Sequence, residues 1–178
     1  MTTSKYIDIK VPKTVSDLRI QHLKALEFSN GKIGKMKIEH IIEFLSLVTS
    51  ATKNELKQIN LEDLKDILEH VVKIFTDYKV NKPNSIITIE EKEYELIDPK
   101  KVGVGWHIDI ENSDFEKDPP RLAALMYIEK GTKYGKMDEN GNMIYSNQER
   151  QKIFERSMPL NCYLDIVSFF LHKSLELI

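Results

Sequence analysis

His107, Asp109 and Glu111 are the residues whose types and spacing come closest to a chemical site. Alternate side chains of a strand point to one face, and a histidine and a carboxylate placed in this way can share a metal ion. A third ligand would have to come from another histidine: His22, His40, His70 or His172. The same alternation is typical of the solvent face of a strand whose other face is buried. We therefore expect no metal site, and keep a metal-dependent enzyme using His107 and Asp109 as an alternative hypothesis.

The other residue types with reactive potential have ordinary structural interpretations. Cys162, the only cysteine, lies in a predicted helix without a nearby histidine, which favours a packed thiol over a nucleophile. Gly103-Val104-Gly105 is too short for a phosphate-binding loop and predicts a flexible turn. Four carboxylates are expected to keep a predicted hairpin soluble: Glu90, Glu91, Glu93 and Glu95. We predict that the protein is not an enzyme, with no catalytic residue and no cofactor.

Length and charge restrict the class of protein. The 178 residues suffice for one domain with a core, or for two small lobes. Apolar residues make up 41% and charged residues 30%, which is typical of a globular protein. Residues 1–82 carry 14 basic and 11 acidic side chains, and residues 83–178 carry 12 and 17. Neither half has the dense basic surface that phosphate binding requires, so we expect no direct nucleic-acid binding.

The sequence predicts neither a signal peptide nor a membrane segment. The N-terminal residues lack the apolar core of a secretory signal, and a lone cysteine gives no sign of an oxidising compartment, which favours an intracellular origin. The most apolar tract, Ile166 to His172, has seven residues. A membrane-spanning helix would need about 18.

The first half of the chain predicts a strand followed by helices. Tyr6 to Val11 alternates between apolar and polar residues, as a half-buried strand does. Thr14 and Asp17 predict a capped helix start. Apolar residues at helical spacing predict a second helix from about Met36 to Thr49, and Asn60 is the predicted N-cap of a third.

The second half begins with predicted strands. Ile86 to Ile97 predicts a hairpin with its turn at Glu91-Lys92, and residues 104–111 predict a third strand with Trp106 buried. An insert from Lys133 to Tyr145 predicts an exposed hairpin around Asn140-Gly141.

Three helices complete the predicted second half. Asp118 caps a helix over residues 119–130 that Gly131 closes. A short helix runs from Asn147 to Arg156, and a final helix covers residues 159–178.

These elements predict an α+β fold. The strands are clustered instead of alternating with helices, so we expect an antiparallel sheet including residues 86–97 and 104–111. The helices at 119–130 and 159–178 should pack against it. Composition shifts between Lys79 and Ser85, which predicts a part over 1–82 and a part over 83–178, packed together as one compact unit.

Phe169 and Phe170 are the predicted interface residues of the final helix. They lie about 100° apart, so one should complete a single apolar face while the other needs cover elsewhere. That face consists of Leu160, Leu164, Val167 and Leu171. We expect at least one of Phe169→Ala and Phe170→Ala to give a folded protein with impaired oligomerisation. Asn140 and Gly141 are the other predicted interface residues.

The second half also resembles a known group of proteins. It has a hairpin with a polar turn, the run Gly105-Trp106-His107-Ile108-Asp109-Ile110, a helix of the Leu-Ala-Ala-Leu-Met-Tyr kind, a variable loop, and a helix after Arg156-Ser157-Met158-Pro159. This order, over roughly residues 86–178, is similar to that of small virion and tail-assembly proteins of tailed bacteriophages, including crAss-like phages.

The resemblance implies a non-enzymatic structural protein of the virion. Such a protein would form a multimeric ring or adaptor at the tail or neck, and would be found in the virion and, during assembly, in the host cytoplasm. Its partners would be copies of itself and other phage tail or neck proteins. The alternative is a tail-assembly chaperone that is absent from the mature particle.

Overall fold

The computed structural model of the protein describes residues 8–23, 37–114, 117–135 and 147–175, the last five without their side chains. The chain divides into two compact units, Met1–Lys79 and Val80–Ile178. This division falls at the start of the tract in which the sequence predicts a boundary. That the two parts pack as one unit stays a prediction.

The described residues form seven α-helices and one antiparallel sheet, which confirms the α+β class. The helices are α1 Ile38–Val48, α2 Lys53–Leu56, α3 Leu61–Thr76, α4 Val104–Glu111, α5 Pro119–Met126, α6 Asn147–Ser157 and α7 Leu160–Leu175. The strands are β1 Ile86–Ile89, β2 Lys92–Leu96 and β3 Tyr127–Glu129. Three single 3₁₀ turns lie at Val15–Asp17, Ile20–His22 and Pro99–Lys101.

The helix starts of the first unit follow the predicted caps. The Asp17 carboxylate accepts the backbone N–H groups of Lys13 and Thr14, both at 2.9 Å. The Asn60 side-chain oxygen accepts the N–H of Asp63 at 2.9 Å and opens α3. Two expectations are wrong: 3₁₀ turns follow Thr14 in place of an α-helix, and residues 8–11 form no strand.

The three α-helices of the first unit, α1, α2 and α3, bury apolar side chains. The buried positions of α1 share one broad face, while Ile38 and Leu47 on the same helix are exposed. The contributors from the three helices are Ile42, Phe44, Leu45, Val48, Leu56, Leu64, Leu68 and Val71.

The sheet has the order β1-β2-β3, with β2 in the centre. In its first pair Ile87 lies opposite Tyr94 and Ile89 opposite Lys92, so the loop consists of Glu90 and Glu91. The hairpin is confirmed, with its turn one residue earlier than predicted. Phe154 of α6 packs edge-on against the Tyr94 ring, with centroids 4.9 Å apart, and covers the inner face of the sheet.

The predicted third strand over residues 104–111 is wrong, because these residues form helix α4. Apolar residues at every second position of an eight-residue run also form two pairs whose members are four residues apart. In a helix, the two pairs lie on opposite sides. Trp106 and Ile110 form the buried pair. Burial of Trp106 is confirmed, and its indole N–H donates to the Leu125 carbonyl at 2.7 Å.

The third strand is β3, which follows α5 without a loop. The Asp118 side chain caps α5 by accepting the N–H of Arg121, as predicted. The helix ends at Met126 instead of Lys130, because residues 127–129 pair with β2. Gly131, with a φ of 81°, takes a left-handed conformation in the turn after β3 and does not close a helix.

The last carbonyl groups of α5 all find partners within the core. Ala123 accepts the N–H of Tyr127, and Met126 accepts the N–H of Ile97 at 2.8 Å. The Ala124 carbonyl accepts both Nε and Nη2 of the buried Arg150, at 3.1 and 3.0 Å. Burial lowers the pKa of Arg150 from its ordinary value.

The buried face of α7 differs from the predicted one. Leu160, Tyr163 and Ile166 are buried, whereas Leu164 and Val167 are half-buried. The Asp165 carboxylate is buried and accepts the N–H of Asn81 at 2.7 Å.

Replacing Trp106 by Phe should lower the free energy of unfolding by about 2–3 kcal/mol, because the variant leaves the buried Leu125 carbonyl unpaired and opens a small cavity. Trp106 is the only tryptophan, so the variant has no tryptophan fluorescence with which to follow unfolding. Urea unfolding followed by far-UV circular dichroism measures the loss instead. Glu111→Gln, at an exposed position of the same helix, is the matched control. A loss no larger than that of the control would contradict the role of the indole N–H.

Candidate functional site

The structure separates the side chains of the predicted metal site. Residues two apart on a helix point in directions about 200° apart, so His107 and Asp109 of α4 do not share a face. His107 is exposed, and Asp109 accepts a hydrogen bond from the Tyr134 hydroxyl. In the described part of the chain, no three His, Cys, Asp or Glu side chains lie together in a way that could hold a metal ion. The strand geometry behind that hypothesis is therefore contradicted.

The other singled-out residues have structural positions. Cys162 is half-buried on α7. Gly103 is the N-cap residue of α4, so the predicted flexible turn is wrong. Phe169 and Phe170 are both half-buried. Asn140 and Gly141 lie outside the described residues.

The two edges of the sheet differ in how their backbone groups are used. Along β3, the Tyr127 N–H donates to the Ala123 carbonyl, and the Glu129 carbonyl accepts the N–H of Thr132 at 3.0 Å. These bonds use one outward backbone group at each end of β3, and Tyr127 is fully buried, so the β3 edge is covered where α5 enters it.

Among the described residues, none pairs with the outer edge of β1. The Leu96 N–H donates to the Ser85 carbonyl at 2.8 Å, which makes 85/96, 87/94 and 89/92 the hydrogen-bonded pairs of the hairpin. In an antiparallel pair the intervening residues point their N–H and C=O groups away. Ile86 and Thr88 are these residues, and no described residue bonds to their outward backbone groups. We call the backbone of Ile86 and Thr88 the open edge.

The turn beside the open edge is strained. Glu90 and Glu91 have φ values of 49° and 66°. A two-residue hairpin loop with both residues left-handed is usually built from Asn and Gly, because other side chains disfavour this conformation. The turn must therefore be stabilised from elsewhere.

Arg156 and Ser157, at the end of α6, hold this turn. Arg156 Nε and Nη2 donate to the two carboxylate oxygens of Glu90 at 2.8 and 2.7 Å, and the Ser157 hydroxyl donates to one of them at 2.5 Å. The hydrogen bonds from Arg156 and then Ser157 lower the pKa of Glu90 to about 2. We call Glu90, Arg156 and Ser157 the clamp. It fixes one end of β1 and hence the direction of the open edge.

Neither of two cavities lined by described residues gathers groups for a reaction. A groove of about 470 Å³ runs beside the start of α4, where Asp98, Lys101 and Tyr134 are among its lining residues. Burial and the bond to Asp109 raise the pKa of Tyr134 to about 12. A cavity of about 390 Å³ in the first unit is lined in part by His70 and Lys73.

Sequence reasoning missed the open edge and the clamp. The signal for the edge is the run Ile86-Ile87-Thr88-Ile89, which has none of the lysine or proline residues that protect many edge strands. The clamp has no local signal, because Glu90 and Arg156 are far apart in the chain.

Comparison with protein-family models, with curated proteins and with solved structures finds no match. Among the helices of the described residues, none has the length and apolar character needed to cross a membrane.

The clamp predicts a pH-dependent contribution to stability. The pKa of Glu90 is lowered from 4.5 to about 2, so its stabilising effect is present above pH 4.5 and is lost as the pH falls towards 2. Glu90→Gln should therefore be less stable than the wild type at pH 7, with the difference disappearing by about pH 2. Thermal unfolding between pH 2 and 7 measures it, and Glu91→Gln, at the exposed second residue of the same turn, is the control. A difference that is independent of pH would contradict the clamp.

Proposed function

We propose that the protein is a non-enzymatic structural component that assembles through strand addition at its open edge. The observation that carries this proposal is the contrast between the two sheet edges. Each end of the outer edge of β3 is bonded within the chain and Tyr127 is fully buried, whereas no described residue bonds to the outward backbone groups of Ile86 and Thr88. Strand addition is a common mode of protein assembly, since backbone hydrogen bonds supply affinity and alternate side chains supply specificity.

The side chains at the open edge suit such a contact. Ile86 is 43% exposed, and Thr88 is exposed on the same face. β-branched residues pack well across strands, and the clamp holds β1 in an extended conformation before any partner arrives. A preorganised strand loses less conformational entropy when it pairs.

The resemblance of residues 86–178 to small virion proteins of tailed bacteriophages supports a location in the phage particle. We propose a multimeric ring or adaptor at the tail or neck of a tailed bacteriophage. The incoming strand would come from another copy or from a neighbouring tail or neck protein.

An assembly chaperone is the second candidate, because an open edge also suits the temporary binding of a strand from a client protein. Mass spectrometry of purified particles distinguishes the two. Presence in near-stoichiometric amount supports the structural component, and absence from particles together with a complex in infected cells supports the chaperone. A protein that is absent from particles and is only a monomer in infected cells would contradict both candidate functions.

Replacing Thr88 by proline should weaken assembly by about tenfold or more without unfolding the protein. Proline removes an N–H group that points away from β2, so the hairpin keeps its own hydrogen bonds while the open edge is blocked. Thr88→Val, which keeps that N–H, is the matched control. Sedimentation over a concentration series measures association, with circular dichroism as the check on folding. Unchanged association of a folded Thr88→Pro variant would remove the open edge from the interface.

Phe169 and Phe170 are expected to respond differently to alanine substitution. Phe170 lies in the buried stripe of Tyr163 and Ile166, whereas Phe169 lies about 100° to its side. We expect Phe170→Ala to lower the free energy of unfolding by about 2–4 kcal/mol, and Phe169→Ala to stay folded with weaker assembly. Thermal unfolding and sedimentation separate these outcomes. If both variants only lower the melting temperature, this part of α7 belongs to the core alone.

A further inference from the structure

Helix α4 carries a second apolar surface, opposite the one it buries. Val104 is 73% exposed and Ile108 51% exposed, the two largest values among the large apolar side chains that the structure describes. They lie four residues apart and therefore on one face. Trp106 and Ile110 on the opposite face are 2% and 6% exposed. We call Val104 and Ile108 the outer face of α4.

The charges at the ends of α4 oppose the preference of the helix dipole. A helix favours acidic groups at its start and basic groups at its end. Lys101 instead precedes the start, and Glu111 is the last residue. Among the described residues, Lys101 makes only an exposed 3.4 Å pair with Asp98, and the Glu111 carboxylate is exposed and forms no ion pair. These charges suit a partner whose own charges run in the opposite direction.

We propose that α4 pairs with α4 of a second copy, antiparallel about a two-fold axis. Val104 of each copy then contacts Ile108 of the other. The same two-fold centre, at the level of residue 106, brings the start of α4 in each copy, which Lys101 precedes, beside the end of α4 in the other copy, where Glu111 lies. One arrangement therefore covers both exposed apolar side chains and pairs both end charges.

The dimensions of α4 fit this pairing. Its eight residues make a helix about 12 Å long, so two copies side by side have their ends in register. Lys101 lies in the segment that enters the helix, and its long flexible side chain can reach a carboxylate at the opposing end. A second copy is thus the occupant whose charge pattern matches the outer face at both ends.

This inference rests on the proposed function, because it supplies one contact of a self-assembling protein. Four apolar side chains bury far less than the roughly 1,600 Å² of a standard interface, so the contact is weak when it acts alone. A two-fold contact closes a dimer, and together with the open edge it would join dimers into larger assemblies.

A charge-exchange experiment tests the pairing. Lys101→Glu and Glu111→Lys should each weaken self-association by about tenfold, since each replaces two opposite-charge contacts with two like-charge contacts. An equimolar mixture of the two variants should recover the wild-type affinity, because a mixed dimer has opposite charges at both ends. Sedimentation equilibrium at low salt measures all four samples.

Val104→Asp tests the apolar part of the contact. An acid at the first position of α4 suits the helix dipole, so the variant should stay folded while it loses association by about tenfold or more. The α4 pairing would be overturned, with the proposed function intact, if the variants self-associated as tightly as the wild type. It would also be overturned if the equimolar mixture associated no more tightly than either charge variant alone. A wild-type protein that stays monomeric across the series would overturn the pairing and self-assembly together. If the outer face of α4 bound only a different protein and not a second copy, the α4 pairing would also be overturned.

Discussion

The end of helix α5 imposes the constraint on which the second unit depends. Its last four carbonyl groups, in residues 123–126, belong to fully buried residues, where an unpaired carbonyl costs about 1–3 kcal/mol. Each has its own partner: the backbone N–H groups of Tyr127 and Ile97, and the side chains of Arg150 and Trp106. These partners belong to β3, to the residue that follows β2, to α6 and to α4. Satisfying one helix end therefore fixes the positions of four elements.

The same constraint makes the sheet asymmetric. Because α5 passes directly into β3, the Tyr127 N–H is used by the helix, and the turn at Thr132 uses the Glu129 carbonyl. β2 is central, and no described residue bonds to the outward backbone groups of Ile86 and Thr88 on β1. Its turn contains two left-handed glutamates, which Arg156 holds from α6. The helix that supplies Arg150 to the core thus also supplies the clamp beside the open edge.

Local interactions were predictable from the sequence, and distant ones were not. The caps at Asp17, Asn60 and Asp118 depend on side chains and backbone groups within four residues, and all three were predicted. The end of α5 at Met126 was not, because residues 127–129 contain no helix breaker and leave the helix only to pair with β2. The clamp was also invisible, since neither Glu90 nor Arg156 indicates the other.

Helix α4 was mispredicted for a reason that bears on its role. In a helix with one buried face, the positions of Val104 and Ile108 would be polar, and the period of the apolar residues would indicate a helix. With apolar residues at these exposed positions as well, every second residue of the run is apolar, and this period of two indicates a strand. Departures of local sequence from the pattern that a fold requires tend to mark functional positions. The wrong strand prediction and the proposed α4 pairing therefore have one cause, two apolar side chains that the chain itself leaves exposed.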